Sequence, residues 1–105
     1  MNYEEIHDMV AEMDFPFAYH HFVEGESPDP PFVIFLSPGE NTFSADNLMY
    51  HSFTQLDIEL YTDRKAPWAE KQVEDVLKRH HLYYTKTETY IDSEKLYEVL
   101  YEMEV

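Results

Sequence analysis

The sequence predicts an α+β fold of two layers, in the order α-β-β-β-α-β-β, with a mainly antiparallel sheet carrying two helices on one face. Three observations lead there. Apolar residues recur at helical spacing in two separate stretches, 3–13 and the segment that opens near Pro67. The remaining apolar residues alternate with polar ones or form short continuous runs, as strands do. The links between neighbouring strands are too short for crossovers, so those pairs should be antiparallel hairpins, with amphipathic helices covering one sheet face. At 105 residues there is room for one core, hence a single domain over 1–105.

Each element has its own warrant. In 3–13, Ile6, Met9, Val10 and Met13 form one stripe, and Asn2 with Glu5 has the spacing of a capping box. Asp14-Phe15-Pro16 stops the helix, because proline disfavours helical geometry in the residue before it. Residues 17–23 are aromatic and strand-like, and 24–31 is a loop rich in proline and acid. Phe32-Val33-Ile34-Phe35-Leu36 is a continuous apolar run that fits a central strand, and 37–41 is a turn. Residues 42–47 fit either a strand or a projecting arm.

Residues 48–62 give the clearest strand pattern, with Leu48, Tyr50, Leu56, Ile58 and Leu60 on one face and His51, Gln55, Asp57 and Glu59 on the other. One face should be buried and one wet. Pro67 sits early in the second helix, where its missing N–H costs nothing, and Trp68, Val73, Val76, Leu77 and His80 should face inward. Residues 82–91 are rich in β-branched and aromatic types, 92–94 suit a hairpin turn, and 96–104 alternate again.

Composition excludes several function classes. The chain holds 7 Lys+Arg against 22 Asp+Glu, a formal net charge of −15. The first basic residue is Arg64, so the first 63 residues carry −13 and the remainder −2. Binding to a phosphate backbone or to anionic lipid requires basic clusters, so neither nucleic acid nor membrane is an expected partner. The acidity reads either as a self-repelling, solvated surface or as a face that steers a basic partner or lines a pore. Cysteine is absent, which removes disulfides, thiolate metal sites and a Cys nucleophile. No apolar run has the length of a membrane span, and the first residues do not have the pattern of a signal peptide.

The residues suggest no catalysis, cofactor or metal. Six histidines are present, yet neighbours such as His20 and His21 on a strand point to opposite faces and should not grip one ion. With only Gly25 and Gly39, there is no glycine-rich phosphate cradle. The serines lack a nucleophile-elbow context, and a concave pocket with convergent polar groups is not expected. Interaction surfaces are better supported, since long loops and exposed tyrosines commonly make contacts. The candidates are Glu24, Glu26 and Asp29 in the acidic loop, Glu40, Phe43 and Asp46 in the next connection, and Tyr90 and Tyr97 in the last hairpin.

Several segments also carry a resemblance. They are Ala18-Tyr19-His20-His21-Phe22 through Glu24-Gly25-Glu26-Ser27-Pro28, then Pro31-Phe32, Ile58-Glu59-Leu60-Tyr61-Thr62-Asp63, and the ending Asp92 to Met103. Together with the short N-terminal helix, the chain resembles the small head–tail joining and tail-completion (tail terminator) proteins of long-tailed phages, as carried in prophages of Gram-positive bacteria. The resemblance implies an α+β subunit that forms a homo-oligomeric ring, often of six, between the tail tube and the connector. It implies assembly in the bacterial host cytoplasm and residence at the head–tail junction of the virion. An acid-rich lumen in such a ring would let DNA slide without sticking. The alternative is a small acidic DNA mimic that inhibits a basic host protein.

Overall fold

A single 15-residue strand runs through both parts of the molecule, the main sheet and an arm. The computed structural model describes the backbone of residues 1–45 and 48–105 and the side chains of residues 1–39 and 54–105. In chain order the elements are α1 (Tyr3–Ala11), β1 (Phe17–Tyr19), β2 (Phe32–Leu36), β3 (Glu40–Ala45), β4 (Leu48–Thr62), α2 (Pro67–Arg79), β5 (Thr85–Ile91) and β6 (Leu96–Glu104). The main sheet has the order β1-β2-β4-β6-β5, and β3 pairs with β4 off that path. The fold is therefore α+β, with a mostly antiparallel sheet and the expected α-β-β-β-α-β-β order in its main part.

The segment 42–47 enters the additional strand β3 as far as Ala45, and residues 46 and 47 lie outside the described ones. β4 is divided between two sets of partners. Residues 48–54 pair with β3, with a register shift at Phe43/Ser44. Residues 55–62 pair with β6, and 57–61 also with β2. The result is a two-stranded arm attached to a two-layer body, within an envelope of 50 × 29 × 24 Å.

One expected pairing is overturned. β1 and β2 run parallel, Phe17 opposite Val33 and Tyr19 opposite Phe35. Residues 20–31 supply the length that a parallel return needs, and they are long enough because β1 is shorter than expected. His20 takes a positive φ of 67°, which breaks the extended chain and ends the strand at Tyr19 rather than at residue 23.

The helices form for local reasons and stay for tertiary ones. In α1, Asn2 Oδ1 accepts from the Glu5 N–H at 2.8 Å, and Glu5 Oε1 accepts from the Asn2 N–H at 2.9 Å, completing the capping box. α2 ends with His81 in the left-handed region at φ 58°, and the Leu82 N–H reaches back to the Leu77 carbonyl at 3.1 Å. Ile6, Met9 and Val10 of α1 and Ala69, Val73, Val76 and Leu77 of α2 pack on Val33, Phe35, Leu56, Ile58, Leu60, Val99, Tyr101 and Met103 of one sheet face. Trp68 departs from its expected inward place: it is 60% exposed and lies against Phe15, while Ala69 and Glu70 are the buried residues of that turn. His80, also expected inward, is part-exposed and contacts Glu12 at 2.8 Å across the helix pair.

Glu70 is buried because it is neutralised. Lys65 and Lys86 approach its two oxygens at 2.7 and 2.8 Å, and Lys86 also meets Glu74 at 2.7 Å. Burial disfavours the charged carboxylate of Glu70, but the hydrogen bonds from Lys65 and Lys86 outweigh it and lower its pKa. The buried Tyr101 hydroxyl donates to Glu74 at 2.8 Å and ties this network to the sheet.

Because Ile58 is fully buried at the middle of the helix-covered face, Ile58→Ala should cost about 2–5 kcal/mol in urea unfolding. Tyr83, 95% exposed, gives the contrasting case: Tyr83→Ala should stay within about 0.5 kcal/mol of wild type. Equal losses at the two sites would contradict this assignment of the core.

Candidate functional site

The sheet face opposite the helices is not a plain wet surface. Alternation along β2, β4 and β6 sends Phe32, Ile34, Asp57, Glu59, Tyr61, Glu98, Leu100 and Glu102 to that side. Phe32 and Ile34 are nonetheless buried. The segment after β1 folds across them: the Phe22 ring meets Phe32 edge-on at 5.3 Å, and Phe32 stacks on Tyr61 at 5.2 Å. Beside these rings is a cavity of about 310 Å³, bordered also by His20, His21, Ser27, Glu59 and Leu96. The sequence reading expected no such concavity.

Its polar groups are short of protons. The Tyr61 hydroxyl lies 2.9 Å from Glu59 Oε1 and 2.9 Å from Glu98 Oε2. A phenol has one proton to donate, so it satisfies one carboxylate at a time. The second carboxylate oxygen is left without that proton. Burial raises the Glu59 pKa, the Tyr61 hydrogen bond offsets part of this, and the nearby Glu98 and Asp57 charges raise it further. Asp57 is also raised, first by burial and then by Glu102 opposite it on β6, while a bond from Gln55 works the other way. One Asp57 oxygen, Oδ1, is buried with no hydrogen-bond partner. The Tyr61 hydroxyl is held firmly in its protonated form by burial and by the two glutamates.

The imidazoles of His20 and His21 come together rather than pointing apart. Their Nδ1 atoms are 3.1 Å apart, so one ring donates and the other accepts. The opposite-face expectation fails because His20 lies past the end of β1 in the left-handed region, where strand alternation no longer holds. Among the described residues, no group of three or more His, Asp or Glu side chains is arranged to hold a metal ion.

The candidate interaction residues do not form one patch. Glu24, Glu26 and Asp29 are exposed in the segment that leads from β1 to β2. Tyr90 and Tyr97 pair across β5 and β6 with ring centroids 4.9 Å apart, on the helix-bearing face by register. Glu40 and Phe43 belong to β3, their side chains outside the described residues, and Asp46 lies outside them altogether. The groups that sequence reasoning missed are Glu59, Tyr61, Glu98 and the His20–His21 pair. A signal for them was present: β2 is apolar at every position, so both its faces are covered, and the adjoining face of β4 cannot be simply wet.

Searches against protein-family models and against curated proteins give no match. No helix among the described residues is long and apolar enough to cross a membrane.

The raised Glu59 pKa fixes the sign of a pH effect. A carboxyl whose pKa is higher folded than unfolded binds more protons when folded, so its contribution to stability is greatest below the unfolded value, near 4.5, and is lost as pH rises through the folded one. Glu59→Gln should therefore be more stable than wild type at neutral pH, with the difference shrinking as pH falls towards that value. Unfolding free energies of both chains across that range test it, and a pH-independent difference would reject the assignment.

Proposed function

We propose that this chain is a structural subunit of phage morphogenesis, a head–tail joining or tail-terminator protein that closes into a ring at the end of the tail tube. The arm formed by β3 and residues 48–54 of β4 supports this reading most directly. A two-stranded ribbon is only marginally stable in water, and its outer edges present backbone donors and acceptors to another chain. Such an arm gains stability by lying on a neighbour. The same arm-to-body contact repeated around an axis is heterologous and closes a ring. Tail-tube and connector proteins would then meet the two ends of the ring, in the host cytoplasm during assembly and at the head–tail junction afterwards.

The charge tunes this assembly. At −15, subunits repel one another, and moderate salt screens that repulsion. A DNA-mimicking inhibitor is less well supported, because mimicry needs carboxylates along one surface. Here Glu4, Glu5, Asp8 and Glu12 lie on or beside α1, Glu24, Glu26 and Asp29 in the β1–β2 connection, and Asp92 and Glu94 in the last turn, all exposed.

Light scattering at moderate salt should find the full chain at several times its monomer mass. A variant in which Asn-Gly replaces residues 41–53 should keep the cooperative unfolding of the body and remain monomeric. Undiminished assembly by the shortened chain would remove the arm from the mechanism.

A further inference from the structure

The depression on the open sheet face is shallow and open to solvent, and its lining combines aromatic rings with carboxylates. Three aromatic rings line it, Phe22, Phe32 and Tyr61, the last two stacked. Glu59 borders it, and Glu98 stands behind the Tyr61 hydroxyl. The two carboxylates share one phenolic proton. Among the described residues no Lys or Arg forms an ion pair with Glu59 or Glu98: Lys65 and Lys86 bind Glu70, Glu74 and Glu88, Lys71 binds Asp75, Arg79 binds Glu12, and Lys95, in the turn whose Ile91, Glu94 and Leu96 border the depression, binds Asp92.

We propose that this cavity receives an arginine side chain presented by a basic partner protein. A guanidinium is planar and weakly hydrated, so it lies against aromatic faces. It also carries five N–H donors in a fixed fork, which is the resource the Glu59–Tyr61–Glu98 group lacks. A lysine ammonium supplies charge but not a plane to stack. The volume, about 310 Å³, has room for one side chain. The net charge of −15 draws a basic partner towards the surface. The inference does not depend on the phage reading.

The test uses the full chain and two blocked tripeptides, acetyl-Gly-Arg-Gly-amide and acetyl-Gly-Lys-Gly-amide, titrated while the aromatic resonances are followed by NMR. The arginine peptide should shift the Phe22 and Tyr61 ring signals saturably, and at least tenfold more tightly than the lysine peptide. Glu59→Gln and Glu98→Gln should each weaken arginine binding tenfold or more, with their far-ultraviolet circular dichroism unchanged. Tyr83→Ala, on the surface away from the cavity, should bind as wild type does. Absence of a saturable shift, equal binding of the two peptides, or unaltered binding by both cavity variants overturns the proposal. Self-association that Arg64→Gln abolishes and that occupies the same rings would also overturn it, by giving the cavity to a second copy.

Discussion

The register of β4 is the constraint on which both faces of the molecule depend. Its even positions, Leu56, Ile58 and Leu60, enter the core, and its odd positions, Asp57, Glu59 and Tyr61, stand on the open face. A slip of one residue would carry two carboxylates and a phenol into the apolar layer and leave three aliphatic side chains outside. The core and the cavity are thus two sides of one strand, and whatever secures the first secures the second. The pairing of β4 with β2 on one side and β6 on the other holds that register, and the helices lock it by burying only the even set.

The cations are distributed with the same asymmetry. Lys65 and Lys86 converge on Glu70 at the edge of the helix layer, and Arg79 joins α2 to Glu12 just past α1. They make burial of Glu70 tolerable and help fix how the helices sit. The open face has no such cation in ion-pairing distance of Asp57, Glu59 or Glu98 among the described residues. Its carboxylates are held by a phenol and an amide instead, which give fewer protons than the oxygens can take. Burial, helped by neighbouring carboxylates and only partly offset by hydrogen bonds and by His20, is why Glu59 and Asp57 resist ionisation, whereas the lysines beside Glu70 outweigh its burial and leave it ionised more readily than usual.

Much of this fold was legible because local and tertiary signals agree. The capping box at Asn2, the stripe from Ile6 to Met13 and the alternation from Leu56 to Leu60 each lead to the element observed. The misreadings concern residues whose surroundings are set by chain turns and by packing that periodicity does not report. Trp68 has the composition of a core residue, yet the turn of α2 that faces the sheet carries Ala69 and Glu70, the latter buried only because Lys65 and Lys86 reach it. His20 and His21 read as strand residues until the positive φ at His20 turns the chain over the sheet. Asp57 and Glu59 read as solvated because periodicity reports which face a residue takes, not what else covers that face.

That last distinction bears on what the acidity does. A carboxylate that projects charge, whether to mimic a phosphate or to keep the protein soluble, works best exposed and fully ionised. Glu4, Glu5, Asp8, Glu24 and Glu26 are exposed. Glu59 is half-buried beside stacked rings, disfavoured as an anion and short of donors. Such a group gains most from a cation that brings its own hydrogen-bond donors and excludes the remaining water. If the proposed arginine site is occupied, the exposed acids would set the long-range field that draws a basic chain in, and Glu59 and Glu98 would discriminate among the side chains that arrive. A uniform acidic coat would give attraction without selection, and in the proposed site the selection would come from the carboxylates set beside the Phe22, Phe32 and Tyr61 rings.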